Sequence, residues 1–200
     1  MTPPTPGRRV PRRQGPDTGT VTVFVADEQD DEPVDAARWS LLAEQAVLAQ
    51  GIQGEAELSV LFVDEAHIAD LNRRFMGHDG PTDVLSFPID AVVDGEVIDG
   101  VAEAEITFSG TGPIGRSGYD PEDQPILLGD IVICPAVARR QAAEHAGTYE
   151  DELALLLVHG ILHVFGLDHA ADDERRAMQA QERELLDAFH GPLARDPWSS

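Results

Sequence analysis

The sequence predicts the α/β (α+β) class: one layer-packed domain built around a buried central helix. Three observations carry this. Apolar runs of strand character, TVTVFVAD (20–27), AELSVLFVD (56–64) and LLGDIVIC (127–134), alternate with stretches of helical period. The segment EDELALLLVHGILHVF (150–165) is apolar on nearly all sides, as a helix at the centre of a core must be. The length, 200 residues, suits a single domain with a substantial core.

Each element has its own signal. The run 20–27 is β-branched and reads as a strand. Asp35 precedes a helix with Trp39, Leu42, Ala43 and Ala46 on one face, and Gly51 marks its end. In 56–64, Leu58, Val60 and Phe62 alternate against the other face, giving a second strand. Asp64 caps a helix over EAHIADLNRRFM, with Ile68, Leu71 and Phe75 in one stripe. A Gly/Asp/Pro turn then feeds a short strand at 84–89. After the strand at 127–134, Pro135 opens a helix expected to run to about His145. Thr148 and Asp151 form an expected capping box, and Glu150, Asp151 and Glu152 complement the dipole of the central helix. Gly166 ends that helix, and ADDERRAMQAQERELLDAF makes a last amphipathic one.

Residues 1–20 are rich in Pro, Gly and Arg and are expected to be a disordered tail, with the folded domain spanning 21–190 and a flexible C-terminus at 191–200. The acidic stretch 90–124 holds one Arg, Arg116, and many Gly and Pro, and is expected to be a loop or hairpin insertion. The formal charge is −23 and there is no Lys, which argues against a generic nucleic-acid binder while leaving room for a focused cationic site. No apolar window reaches membrane-spanning length and residues 1–20 contain no apolar signal core, so a cytoplasmic location without membrane partners is expected. Cys134 is the one cysteine, read as a small buried hydrophobe.

The chemistry concentrates in HGILHVFGLDH (159–169). His159 and His163 are i, i+4 and share a helical face, and a reversal at Gly166 allows His169 to join them. Three imidazoles with an open fourth position are a catalytic zinc pattern. The alternative, satisfied core histidines, needs polar partners that so apolar a stretch does not supply. Zinc proteases of related spacing carry a Glu after the first histidine, whereas this chain has Gly160. Peptide cleavage is thereby disfavoured, and phosphodiester cleavage by zinc becomes a reasonable reading, with any base located elsewhere. Asp168 is a candidate to orient a ligand.

The chain resembles the YbeY family of endoribonucleases, in HGILHVFGLDH, in LNRRFMGHDGPTDVLSF (71–87) and in LLGDIVIC. The resemblance implies a zincin-like fold, a small mixed sheet packed on the helix that carries the metal ligands. It implies one Zn2+ held by His159, His163 and His169. It also implies a single-strand-specific endoribonuclease acting in 16S rRNA 3′-end maturation and ribosome quality control, with RNA and the small ribosomal subunit as partners. Basic ribosomal proteins suit the acidic surface as further partners. The family's usual Arg in the second block falls on Met76, and Arg73, one turn earlier, is the candidate substitute. Thr82, Asp83 and Ser86 are candidates to line the cleft or, equally, to cap a turn, and Asp130 is expected to pair with a backbone or Arg group and shape the site. His67, His78, His145 and His190 read as surface or helix-end residues. The competing functions are a zinc metalloprotease-like hydrolase and a non-enzymatic ribosome-assembly factor with a structural zinc.

Overall fold

A computed structural model describes residues 19–89, 91–93, 96–98, 125–167 and 171–199. Most of the expected disordered tail, residues 99–124 of the acidic stretch, and both Asp168 and His169 lie outside the described residues. Strand β1 (Thr20–Asp27), helix α1 (Ala36–Ala49), strand β2 (Glu55–Phe62) and helix α2 (Glu65–Leu71) come first. Strand β3 (Val84–Pro88) is followed by a short antiparallel hairpin of β4 (Ala91–Val93) and β5 (Glu96–Ile98). Strand β6 (Ile126–Ile133) and helices α3 (Pro135–Gln141), α4 (Tyr149–Val164) and α5 (Asp172–Phe189) complete the order.

The main sheet runs β1-β2-β6-β3. β1, β2 and β6 are parallel, and β3 is antiparallel to β6. Parallel neighbours need a crossover, which α1 supplies between β1 and β2. Alternation sorts the side chains: Ala56, Leu58, Val60 and Phe62 of β2 are buried on one face with Ile131 and Ile133 of β6. That face carries the main core with α1 and α4. On the other face Ile68 and Leu71 of α2 meet Leu61, Leu85, Phe87 and Val132 in a second, smaller cluster.

Helix α4 packs against β3, β6, α1, α3 and α5, which is why its sequence is apolar nearly all round. Leu153, Leu157, Ile161 and Leu162 are fully buried there. Each such side chain contributes about 1.5–3 kcal/mol of burial free energy. Asp35 Oδ1 accepts from Arg38 N (3.2 Å), Asp64 Oδ1 from His67 N (2.7 Å) and Thr148 Oγ1 from Asp151 N (3.1 Å), so the expected caps form. The capping box at α4 is not completed. The Asp151 carboxylate instead accepts from Ala194 N (3.1 Å) and meets His190 Nε2 (2.9 Å).

Two helices end differently from expectation. After Leu71 the backbone widens into a π-helical turn, Asn72–Met76, closed by Gly77. Asn72 is the buried polar residue there, and its Nδ2 donates to Gly80 O (2.9 Å). Helix α3 stops at Gln141 because the next residues turn to satisfy Glu152 on α4. Residues 191–199 also depart from the expected flexible C-terminus. Arg195 N donates to Ala146 O (2.9 Å), Arg195 Nη1 to Ala143 O (3.1 Å), and Trp198 Nε1 to Glu182 on α5.

Candidate metal centre and cleft

Helix α4 delivers His159 and His163 one turn apart on one face. Their rings meet edge to face at 85°, with centroids 4.5 Å apart and Nε2 atoms 3.1 Å apart. His159 Nδ1 lies 2.7 Å from Glu182 Oε1. An ionised carboxylate only accepts, so Nδ1 carries the proton and His159 turns its Nε2 lone pair toward His163. Glu182 is 4% exposed, and its second oxygen accepts from Trp198 Nε1 at 2.6 Å.

The pair fits a metal. Two nitrogens at zinc-binding distance in a tetrahedral arrangement stand roughly 3.3 Å apart. The observed separation of 3.1 Å is close to that, and a carboxylate behind one ligand is the usual way to fix its tautomer. Gly166, at φ +78°, ends α4. Gly166 N donates to His163 O (2.9 Å) and Leu167 N to Leu162 O (3.0 Å), which closes the helix in a Schellman motif. The helix therefore ends at Gly166, three residues after His163, as the sequence expects. Among the described residues no group of three His, Cys, Asp or Glu side chains assembles to hold a metal, and His169 lies outside them.

Gly160 has a packing reason. A Cβ at this position comes within 2.9 Å of Ile131 Cγ2 and 3.1 Å of Ser86 Oγ. Position 160 thus faces Ile131 and Ser86 on the sheet, and a carboxylate there would have to displace them. Ser86 Oγ donates to Gly160 O (3.2 Å), so this expected cleft residue instead ties β3 to the back of the histidine helix.

A cleft of about 290 Å³ opens beside His159, and Glu182, Trp198, Arg175, His145 and Asp83 are among its walls. Asp83 is one of these walls. Its Oδ1 accepts from Val84 N (2.9 Å) and Thr82 Oγ1 (3.1 Å), and its Oδ2 from Gln141 Nε2 (2.7 Å). Thr82 acts through Asp83. Gln141 Nε2 also donates to Glu152 Oε1 (2.8 Å), whose carboxylate meets His145 Nδ1 (2.9 Å) and accepts from Ala146 N (3.1 Å). Glu152 is 0% exposed, and this full set of partners offsets the cost of burying its charge.

Asp130 and Arg73 fall elsewhere. Ile131 points at Gly160, so its neighbour Asp130 points to the opposite face of the sheet, between Ser59 and Phe87 in register. The expected pairing of Asp130 with a backbone or Arg group does not form among the described residues. Arg73 and Arg74 are exposed and share Asp70, and neither lines the cleft. Arg175 does line it, near its partner Asp172.

Glu182, Trp198 and Arg175 escaped the sequence reading, and His145, read as a surface or helix-end residue, is a half-exposed residue of the cleft wall. For Glu182 a signal existed: it interrupts the apolar stripe of α5, with Met178, Leu185 and Leu186 buried around it. For Trp198 there was none, since local pattern does not reveal a long-range contact from a short tail. His190 does lie at the end of α5, but its side chain is only 6% exposed, held between Asp151 and Arg38.

Comparison with known proteins gives a consistent result. The family model described as endoribonuclease YbeY matches residues 24–190. The chain is 43% identical over 169 residues to a protein named endoribonuclease YbeY from Acidothermus cellulolyticus, covering 84% of this chain and 92% of that protein. It is 39% identical over 175 residues to the protein of that name from Salinispora tropica, covering 88% and 100%. The solution structure of TM1509 from Thermotoga maritima superposes with a TM-score of 0.51 at 24% identity, covering 85% of this chain and 90% of that one, a likeness of fold.

Proposed function

The chain belongs to the endoribonuclease YbeY family, and from that premise we propose a zinc-dependent, single-strand-specific endoribonuclease that matures the 3′ end of 16S rRNA and acts in ribosome quality control. His159, His163 and His169 are the proposed ligands of one Zn2+. The observation that carries the reading is the pair of Nε2 atoms 3.1 Å apart with Glu182 behind one of them. Bound zinc supplies Lewis acidity toward a phosphoryl oxygen and acidifies a water.

The chain's own residues supply the rest. Glu182 keeps the Nδ1 proton on His159, which leaves Nε2 as the donor atom. Arg175, at the cleft wall, is the proposed contact for an RNA phosphate, with Arg73 as the alternative cation outside the cleft. Phosphate contacts from so acidic a chain must be few and local, and the net charge of −23 suits docking onto basic ribosomal proteins. No described helix is long and apolar enough to cross a membrane. The proposed setting is the cytoplasm.

Metal analysis and cleavage assays on wild type and His163→Ala test the proposal. Wild type is expected to hold one zinc per chain and cut single-stranded RNA but not casein. His163→Ala is expected to lose both the metal and the RNA cleavage. Casein cleavage lost with the metal would favour a protease. Bound zinc without any cleavage would favour a structural role in assembly. Arg175→Ala is expected to lower kcat/KM on RNA by about tenfold, the loss of one charge-assisted contact. If Arg73→Ala lowers it instead, the phosphate contact belongs to Arg73.

A further inference from the structure

The residues that match the family end at 190, yet the chain continues across the candidate metal centre. Ala194 N donates to Asp151, and Arg195 contacts Ala143 and Ala146, so the segment is laid back along the start of α4. It then reaches α5. Asp196 accepts from Arg183 Nη2 (3.1 Å) and from Trp198 N (3.0 Å). The Arg183 guanidinium lies 4.5 Å over the Trp198 ring. With backbone and ring both held, the indole N–H points at Glu182 Oε2, 2.6 Å away. The other oxygen of that carboxylate takes His159 Nδ1 at 2.7 Å.

We propose that Trp198, carried to the metal centre by the C-terminal segment and held there through Asp196 and Arg183, is a positioning residue that holds Glu182 so that Glu182 holds His159. A carboxylate gripped at one oxygen still pivots about its own bonds. Gripped at both, it presents a fixed acceptor to Nδ1, and the His159 ring cannot rotate its Nε2 away from His163 without breaking that contact. Removing the indole N–H also leaves a buried carboxylate oxygen without its donor, which favours the carboxylate swinging out and releasing Nδ1. The inference rests on His159 being a metal ligand, the reading proposed above.

The test uses the full chain. Zinc affinity is measured by competition with a chromogenic chelator for wild type, Trp198→Phe, Glu182→Gln and Arg195→Ala, with thermal unfolding checked for each. Trp198→Phe keeps the ring and its Arg183 contact but loses the donor. Glu182→Gln turns an amide NH2 against one of two donors. Arg195→Ala removes a side-chain contact of the tail to Ala143, away from Glu182 and from the Asp196–Arg183 anchor of Trp198, and controls for general packing. Glu182→Gln is expected to weaken zinc about 10- to 100-fold. Trp198→Phe is expected to weaken it roughly three- to tenfold, as one hydrogen bond to a charged acceptor warrants. Arg195→Ala is expected to bind as wild type. With cobalt(II) in place of zinc, the visible bands are expected to shift in the first two variants and not in the third.

Wild-type affinity and cobalt spectrum in Trp198→Phe overturn the inference while leaving the zinc reading intact. So does an equal loss in Arg195→Ala, which would make the effect one of tail packing. Failure of wild type to bind zinc overturns the metal reading and this inference with it.

Discussion

Glu152 and Glu182 are the same residue type at the same depth, and they do different things. Glu152 is 0% exposed and takes its partners from the adjoining segment, Gln141, His145 and Ala146. Glu182 is 4% exposed and takes its partners from distant parts of the chain, His159 on α4 and Trp198 near the C-terminus. The first closes the connection between α3 and α4. The second orients an imidazole whose other nitrogen faces His163. Burial alone therefore does not mark a functional carboxylate; what marks it is a partner with a second atom to present.

Substitutions test how far that contrast goes. The largest effect is expected from Glu152→Ala, about 3–5 kcal/mol of stability, because His145 and Ala146 N lose a buried acceptor they were folded around. Urea unfolding measures this, and zinc affinity of the folded fraction is expected to stay at the wild-type value. Zinc loss comparable with Glu182→Gln would break the contrast. Gly160→Ala, on the sheet-facing side of α4 between these nodes, is expected to cost about 1–3 kcal/mol by overpacking against Ile131. Its midpoint in urea would fall, and RNA cleavage would fall only as far as the His159–His163 pair is displaced.

A smaller, pH-dependent effect is expected at Asp151, next to Glu152 but turned toward the C-terminal segment. Burial raises the Asp151 carboxyl, yet hydrogen bonds from His190, Thr148 and Ala194 outweigh it and hold the group below its ordinary value. A depressed folded-state pKa adds stability that is present above the unfolded carboxyl's pKa of about 4 and is lost as pH falls through the lower folded value. Asp151→Asn is expected to cost about 1 kcal/mol at neutral pH and to flatten the fall in stability below pH ~4. Unfolding curves from pH 3 to 7 read both. An unchanged acid slope would mean that Asp151 does not tie down the segment that carries Trp198.

Much of the fold was legible because local signals and packing agreed. Thr148, Asp64 and Asp35 cap where expected, and α4 is apolar all round because it is enclosed all round. Where a side chain prefers a distant partner, local reading fails. His145 leaves the helical path of α3 for Glu152, and Asp151 leaves its capping box for His190 and Ala194. The π-helical turn at Asn72–Met76 had no periodic signature, because its buried Asn72 answers to Gly80 across a turn. In the candidate site, i, i+4 spacing placed His159 and His163 correctly, since one helix fixes both. Glu182 and Trp198 come from other elements, and no spacing rule links them to His159.

The tight seam at Gly160 also bears on ancestry. Where α4 presses on Ile131 and Ser86, a side chain enters only if those two side chains give way. A glutamate at this place, where a zinc peptidase carries one, therefore asks for a repacked helix–sheet contact as well as the changed codon.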